Sequence, residues 1–329
     1  MARNSKCYWS AAMLAFLAAC CPGSVFAQEF PNRSIKVIIP FPAGGPVDTL
    51  ARVIGEGFRA RTGQNFVVES RPGANTSIGA MACKNAEPDG YTICLLASAT
   101  VSINPHLYPD LRYSRADLAP VTNVSISKVL LMVNKDVPVK TFAELVAWSK
   151  QNPDKSNYAS FGVGGEIHLA GEWLKKLTGA QMTHVPFAGF APAITAFDRG
   201  DIQVLLPFAI PPVMERIRTG AAKPLLVIGD SKYDPLPDLP TVVEAGLPPI
   251  GFETWFGMFA PAGTPSPMIE KLSAEIRAVI TDKVFAEKYL TSAGMAPAPM
   301  TPAAFGAFLE SDSRKALELI KVSGVTLEK

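Results

Sequence analysis

Short apolar runs rich in β-branched residues alternate along the chain with stretches whose apolar residues recur every three or four positions. The first pattern predicts strands and the second predicts amphipathic helices. Predicted strands lie at residues 34–41, 66–69, 91–96, 157–161, 182–187, 202–208 and 224–228. Predicted helices include residues 77–85, 166–177, 192–199, 267–280 and 302–321. Because strands that alternate with helices form parallel sheets covered by helices, the chain is predicted to be an α/β protein.

A glycine-rich loop joins the first predicted strand to a predicted helix. The loop and the helix start contain Phe41, Pro42, Ala43, Gly44, Gly45 and Asp48. Consecutive glycines let backbone N–H groups approach a ligand, and a helix N-terminus adds partial positive charge, so this segment suits a carboxylate or another small anion. It matches neither the dinucleotide pattern GxGxxG nor the phosphate-loop pattern. Asp48 has a second interpretation, as an acid that only stabilises the helix end.

A second loop of the same kind occurs in the other half of the chain. Its residues are Ser160, Gly162, Val163, Gly164 and Gly165, followed by His168 in the first turn of the next predicted helix. Because ligands bind beyond the carboxyl ends of parallel strands, two such loops predict a ligand held at both of its ends. For each loop taken alone, glycine required only by turn geometry is an equal alternative.

Composition limits the class of protein. Of its residues, 48% are hydrophobic, a fraction that excludes a largely disordered chain. Its length of 329 residues gives two domains as the first expectation. Its 31 Lys and Arg against 29 Asp and Glu give a net charge of +2, without the basic surplus of a nucleic-acid-binding protein. Arg3 and Lys6 account for the surplus, so the chain from residue 28 onward has no net charge. Selectivity for anions must then come from local amides and helix ends.

Residues 1–27 have the three-part layout of a secretory signal peptide. Two basic residues precede an apolar run at residues 11–19, and a small-x-small cleavage site ends at Ala27. The apolar run is too short for a membrane-spanning helix, which needs about 20 residues. The segment before Cys20 also resembles a lipobox, so a lipoprotein anchored at Cys20 is the alternative to cleavage after Ala27. Either route predicts a protein that works outside the cytoplasm, in the periplasm.

Two cysteines, Cys83 and Cys94, remain after the predicted signal peptide. Export to an oxidising compartment permits a disulfide between them. Two buried thiols on a helix and its neighbouring strand are an equal alternative, because the separation of the two Cα atoms cannot be derived from sequence.

Few residues in the chain are of the types that carry catalysis. Beyond residue 27 the histidines are His106, His168 and His184, and the motifs HExxH, CxxC and GxSxG are absent. We therefore expect no metal, no cofactor and no enzymatic activity. An exported hydrolase of small esters or amides is the alternative, and it would need a serine beside His168 or His184 with an orienting acid.

Several segments together resemble one known family. They are P-x-x-x-I-K-V-I-I-P-F-P-A-G-G-x-x-D, R-P-G-A-N-x-x-I-G-A, P-D-G-Y-T, H-V-P-F-x-G-x-x-P-A, D-L-P-T-V-x-E-A-G and W-F-G-M-F-A-P-A-G-T-P, in this order from about Pro31 to the C-terminus. This set resembles the Bug-type extracytoplasmic solute receptors, which are the binding proteins of tripartite tricarboxylate transporters. The resemblance implies a type II periplasmic-binding-protein fold, with two mainly parallel sheets and flanking helices joined by two crossing strands near residues 121–127 and 252–259. It also implies one lobe at residues 28–124 plus 253–329 and a second lobe at residues 125–252.

The resemblance also implies a ligand and the residues that bind it. Small carboxylates and dicarboxylates, with some aromatic acids, are the usual ligands of the family. The first loop would hold one carboxylate by backbone amides, and the second loop would contact the other end of the ligand. Ser98, after the predicted strand at residues 91–96, belongs to the same predicted site, as do Phe187 and Phe208. The expected partners are the ligand and the membrane permease subunits of the transporter, and the receptor is expected to be a monomer.

Two positions depart from the family pattern. Ala188 follows Phe187 where relatives often carry a basic residue, and the run that ends at Phe208 lacks an acid that relatives commonly carry. With Phe190 nearby, the second lobe is predicted to be more apolar than usual. Because an ammonium group needs an acidic partner, we expect a carboxylate with an apolar or aromatic body rather than an amino acid or citrate. A receptor for a signalling partner is an alternative role.

Overall fold

Residues 30–251 and 253–326 are described by this computed structural model, and they form two β-sheets flanked by helices. The predicted signal peptide and its Cys20 alternative lie outside the described residues. Among the described helices, none is long and apolar enough to cross a membrane.

The first sheet has six strands in the order β11, β4, β10, β3, β1, β2. Their bounds are β1 Ile35–Ile39, β2 Phe66–Ser70, β3 Thr92–Ala97, β4 Leu118–Ser127, β10 Thr254–Pro261 and β11 Met295–Pro297. Strand β1 pairs in parallel with β2 and β3, whereas β10 pairs antiparallel with β3 and β4, and β11 pairs antiparallel with β4. The helices in the same parts of the chain are α1 Pro46–Thr62, α2 Ser77–Lys84, α3 Asn104–Leu107, α8 Ser266–Thr281, α9 Lys283–Phe285 and α10 Pro302–Ser323.

The second sheet has five strands in the order β7, β6, β8, β5, β9. Their bounds are β5 Val129–Asn134, β6 Asn157–Ser160, β7 Thr183–Pro186, β8 Val204–Leu205 and β9 Ala222–Ile228. The accompanying helices are α4 Phe142–Gln151, α5 Glu166–Thr178, α6 Phe190–Asp198 and α7 Pro211–Arg218. Short π or 3-10 turns lie at Ala99–Ile103, Arg115–Asp117, Pro153–Lys155, Ala286–Leu290 and Thr291–Ala293.

The chain passes from the first sheet to the second between β4 and β5, with Lys128 alone between them, and returns between β9 and β10. The predicted two-lobed α/β architecture is confirmed. Both sheets are mixed rather than mainly parallel, because the strands next to these crossings pair antiparallel with their neighbours. Strand β4 stays in the first sheet up to Ser127, and the lobe boundaries at residues 124 and 253 remain predictions.

The C-terminal helix α10 packs against both lobes. It begins at the predicted cap, where the Thr301 hydroxyl accepts a hydrogen bond from the Ala304 N–H at 3.3 Å. Phe305, near its start, is buried in the core of the first lobe, whereas Ala316 and Leu319 are buried in the core of the second lobe. One helix therefore connects the two cores on the side where the chain crosses.

The two cysteines form a disulfide, which decides between the two alternatives left open by the sequence. Cys83 lies on α2 and Cys94 on β3, with their Cα atoms 6.0 Å apart, and both side chains are fully buried. The bond ties a flanking helix to the centre of the first sheet.

Candidate functional site

The predicted site residues lie at the carboxyl ends of parallel strands in both lobes. Strand β1 leads into the first glycine-rich loop, and β3 leads into Ser98. In the second lobe, β6 leads into the second glycine-rich loop. The carboxyl ends of parallel strands share one edge of a sheet and are the usual place for ligands in open α/β folds.

Asp48 holds the first loop in place from within. Its Oδ2 accepts a hydrogen bond from the Gly44 N–H at 3.0 Å, and the Gly45 N–H donates to the Pro42 carbonyl at 3.3 Å. Arg52 forms two hydrogen bonds to the same carboxylate, at 2.9 and 3.0 Å. The Arg52 guanidinium and the Gly44 N–H hold the pKa of Asp48 below its usual value. The carboxylate is therefore ionised and fully engaged by protein donors.

His168 holds the second loop in the same way. Its Nδ1 accepts a hydrogen bond from the Gly164 N–H at 3.0 Å, and the Gly165 N–H donates to the Gly162 carbonyl at 3.4 Å. His168 is buried, and burial lowers its pKa, so the neutral ring is the form that accepts this hydrogen bond. Val163, at the tip of the loop, exposes 49% of its surface.

A serine–histidine contact lies beneath the second loop. Ser160 Oγ is 2.6 Å from His184 Nε2, and the His184 ring stacks on the His168 ring with centroids 3.9 Å apart. Burial and the neighbouring His168 lower the pKa of His184 to about 4. Ser160 is fully buried, and its Oγ also contacts the Gly162 carbonyl and N–H, at 3.0 and 3.3 Å. The hydroxyl supports the loop and is not exposed at the surface.

Glu166 connects the two lobes and was not among the predicted site residues. It is the first residue of α5, and its Oε1 accepts hydrogen bonds from Ser98 Oγ and from the Ala99 N–H, the latter at 2.9 Å. Its Oε2 accepts a hydrogen bond from Thr254 Oγ1 at 2.7 Å. All three donors belong to the first lobe, so the start of α5 lies against the end of β3. Burial raises the pKa of Glu166.

The same contact accounts for Ser98. Its side chain is fully buried, and its hydroxyl donates to Glu166 rather than facing open space. Sequence could not reveal Glu166, because the residue is separated from Ser98 by 68 positions and its own neighbours indicate only a helix start.

Aromatic side chains line the second lobe next to its loop. The Phe161 ring centroid lies 5.8 Å from that of Phe190 and 6.2 Å from that of Phe208. These three rings and Phe187 are all partly exposed, as expected of side chains at a cleft edge. Phe161 directly precedes Gly162 and was not predicted as a site residue, although its position next to the loop was visible in the sequence. The Phe187 N–H donates to the Ser160 carbonyl at 2.9 Å, and the Phe208 ring packs near Phe161, whereas the predicted contact of both residues with a ligand stays a prediction.

A strained turn follows β2 at the same edge of the first sheet. Three consecutive residues have left-handed backbone angles, with φ of 45° at Ala74, 47° at Asn75 and 72° at Thr76. The Asn75 amide donates to Asn104 Oδ1 at 3.0 Å, and Thr76 Oγ1 lies 2.7 Å from Thr100 Oγ1. Such strain persists only where the surroundings fix it, and it is concentrated at binding sites. The R-P-G-A-N motif marked this turn, but its residues alone did not indicate that it lies at the edge of the sheet where the predicted site is.

Two α/β lobes with loops at the carboxyl ends of their parallel strands define a bilobal solute-binding protein. A family model described as "Tripartite tricarboxylate transporter family receptor" matches residues 50–325. The chain belongs to this family of Bug-type receptors, as the sequence motifs indicated.

Relatives and solved structures agree with this assignment. Protein BugT of Bordetella pertussis is 29% identical over 306 residues, which cover 92% of this chain and 93% of BugT. A structure of R. palustris Rpa4515 with adipate is 29% identical, with a TM-score of 0.81, and the match covers 91% of this chain and 99% of the other. MatC from Rhodopseudomonas palustris with bound malate is 30% identical, with a TM-score of 0.76, and the match covers 88% of this chain and 100% of MatC.

The described residues also bear on metal binding. Between residues 30 and 326, with residue 252 left aside, no group of three or more His, Cys, Asp or Glu side chains could hold a metal ion. Of the three histidines, His168 and His184 lie together, and His106 contacts Ser313 elsewhere, at 2.9 Å.

Proposed function

We propose that this protein captures a small carboxylate between its two lobes and delivers it to the membrane subunits of a tripartite tricarboxylate-type transporter. The observation that carries the proposal is the pair of glycine-rich loops, one in each lobe, each at the carboxyl end of a strand and the start of a helix. The Glu166 contact supports it further, because it brings the second loop next to the edge of the first sheet where Ser98 lies.

Backbone groups would recognise the carboxylate. In the described part of the chain, the N–H groups of Ala43 and Val163 have no protein acceptor. The first N–H groups of α1 and α5 have no acceptor within their helices either, and each helix start carries partial positive charge. Neither loop contains a lysine or an arginine. An anion bound here is therefore neutralised by amides and helix ends rather than by ion pairs.

The aromatic side of the cleft favours a ligand with an apolar body. Phe161, Phe190 and Phe208 offer apolar surface beside the second loop, and Ala188 leaves this side without a cation. The run before Phe208 has no acid to pair with an ammonium group. Among the relatives, adipate carries an uncharged methylene chain between its carboxylates, whereas malate is smaller and more polar. We therefore infer a monocarboxylate or dicarboxylate with an aromatic or aliphatic body, in preference to amino acids and citrate.

A thermal-shift panel tests this inference. The probes are adipate, benzoate, phenylacetate, malate, citrate and aspartate, added to the purified mature chain. A ligand at about 100 times its Kd stabilises by about 2.7 kcal/mol, which raises the melting temperature of a chain this long by several degrees. We expect such shifts with adipate or the aromatic acids. Stabilisation by citrate or aspartate, with no response to the other acids, would overturn the inference.

One substitution tests the same idea by gain of function. Ala188→Lys adds a cation at an exposed position beside the aromatic side chains. We expect it to improve binding of citrate relative to benzoate. Ala274→Lys, at an exposed position on α8, adds the same charge on the outer face of the first lobe and serves as the control. Equal effects of both variants would show that net charge, rather than the cleft, determines the preference.

The remaining parts of the proposal concern export, transport and catalysis. We infer export through a signal peptide cleaved after Ala27, and the mass of the mature protein distinguishes an N-terminus at Gln28 from a lipidated Cys20.

Uptake measurements after gene deletion test the transport role, and loss of a sensor response with normal uptake would favour the signalling alternative. Recovery of the ligand unchanged after incubation tests the absence of catalysis. If a hydrolysed product appears and Ser160→Ala abolishes it, the hydrolase alternative is correct.

A further inference from the structure

The glycine pairs of the two loops have the same backbone conformation, although the loops differ two positions earlier, where the first has Pro42 and the second has Gly162 with φ of 140°. The first glycine of each pair has a left-handed backbone, with φ of 77° at Gly44 and 76° at Gly164. The second glycine is extended and caps the following helix, with φ and ψ of −79° and 174° at Gly45 and −74° and 167° at Gly165. The same local structure therefore occurs once in each lobe.

The hydrogen bonds of the two loops also correspond. In each loop, the N–H of the first residue of the glycine pair, Gly44 or Gly164, donates to the side chain four positions later, at 3.0 Å in both cases. The acceptor is Asp48 Oδ2 in the first lobe and His168 Nδ1 in the second. The N–H of the second glycine in each loop donates to the carbonyl three positions earlier. A carboxylate and a neutral imidazole thus perform the same task at equivalent positions.

We propose that Asp48 and His168 are equivalent positioning residues. Each fixes one ligand-binding loop by accepting a hydrogen bond from the N–H of the first residue of the glycine pair. The inference rests on the proposed function of the loops. It implies that the N–H groups of Gly44 and Gly164 are not available to a ligand. The loop N–H groups that stay available are those of Ala43 and Val163. Asp48 and His168 then act on the ligand through the loop backbone and do not touch it.

The two acceptors differ in how they respond to acid. Asp48 is braced by Arg52 and stays ionised. His168 faces His184 across the ring stack and Tyr158, whose hydroxyl lies 3.4 Å from the His168 carbonyl. Glu172 and Lys175, on its own helix, act on its charge in opposite directions. A proton on Nδ1 would place an N–H against the Gly164 N–H, so protonation of His168 must release the second loop alone.

The sign of the pH effect follows from burial. Because burial lowers the pKa of His168 in the folded protein, the loop contact is complete above the ordinary histidine pKa of about 6.5 and is lost only as the pH falls through the lowered pKa. Asparagine at position 168 places Oδ1 where the histidine has Nδ1, and it accepts a hydrogen bond without titrating. His168→Asn is therefore the matched variant for the acid-sensitive step.

The first test needs no ligand. Hydrogen exchange of the Gly44 and Gly164 amides is followed by NMR in the ligand-free protein. We expect Asp48→Ala to accelerate exchange at Gly44, and His168→Ala to accelerate it at Gly164, by about tenfold or more. The conservative variants Asp48→Asn and His168→Asn should keep exchange slow, as should Arg52→Ala, which removes only the ion pair. Unchanged exchange in both alanine variants would overturn the proposal.

The second test measures binding of adipate and benzoate by calorimetry at several pH values from 7.5 down to 4.5. We expect the alanine variants to bind the acid that the wild type binds about tenfold more weakly, and the asparagine variants to bind it nearly as well. Binding by the wild type should weaken at the lower pH values more than binding by His168→Asn. Equal pH dependence in these two proteins would refute the role of His168. If the wild type binds neither acid while the exchange pattern is as expected, the loops are positioned as described and the proposed function is what fails.

Discussion

Glu166 is the residue whose replacement most directly tests the contact between the lobes. Its carboxylate accepts three hydrogen bonds from the first lobe, and one donor is the backbone N–H of Ala99, which cannot turn to another partner. Leaving that partly buried donor unpaired costs about 1–3 kcal/mol. With the cavity left by the side chain, we expect Glu166→Ala to lower the free energy of unfolding by about 2–4 kcal/mol.

Glu166→Gln separates the effect of charge from that of shape. The glutamine carbonyl can still accept from Ser98 and Ala99, and the Thr254 hydroxyl can turn to accept from the new amide. Because burial raises the pKa of Glu166 in the folded protein, folding favours its protonated form. The wild type therefore loses stability as the pH rises through this raised pKa, whereas the glutamine variant does not. We expect the stability of Glu166→Gln relative to the wild type to increase between pH 5 and pH 8.

Urea unfolding followed by circular dichroism at pH 5 and pH 8 measures both effects. Glu270→Ala, at an exposed position on α8, is the control for removal of a glutamate far from the crossing strands. The interpretation of Glu166 would be wrong if Glu166→Ala were no less stable than this control. It would also be wrong if Glu166→Gln lost as much stability as Glu166→Ala at pH 8.

Three further variants test other contacts. A Cβ at Gly294 would lie 2.0 Å from the carbonyl oxygen of Ala209 in the other lobe, and φ at Gly294 is 76°. Gly294→Ala should therefore lower the melting temperature and increase the radius of gyration in small-angle scattering. Unchanged scattering would refute the contact. Replacing both Cys83 and Cys94 by alanine should cost about 2–4 kcal/mol in thermal unfolding, and a reductant should destabilise the wild type but not the variant. Burial raises the pKa of Asp312 to about 6, so the wild type should lose stability as the pH rises from 4 to 7. The stability of Asp312→Asn relative to the wild type should therefore increase by on the order of 3 kcal/mol from pH 4 to pH 8, and a constant difference would contradict this.

Much of the secondary structure follows from local pattern. The strand predicted at residues 34–41 contains β1, and the helix predicted at residues 302–321 is α10, with its cap at Thr301. The strand predicted at residues 202–208 is shorter, because only Val204 and Leu205 form a continuous ladder and Phe208 makes an isolated bridge to Val129. Apolar runs indicate burial, but the length of a strand depends on the strands beside it, which local pattern does not contain.

The antiparallel pairs show the same limit. Alternation of strands and helices indicated parallel sheets, and β1, β2 and β3 do pair in parallel. Strands β4 and β10 were indicated only by the family resemblance, as crossing strands near residues 121–127 and 252–259, and their direction depends on how the chain crosses between the lobes. That crossing is a property of the whole fold, so it reversed the pairing without leaving a mark in the local sequence.

The sequence by itself determined the two glycine-rich loops and their places at helix starts. These features depend on residues within one turn of each other, where backbone freedom and helix-end charge act directly. Only the tertiary structure decided which groups these loops leave for a ligand. Glu166 meets donors 68 and 88 positions away, and Ser160 meets His184 across two paired strands. Such contacts depend on strand register and lobe packing, and these are fixed only when the whole chain has folded.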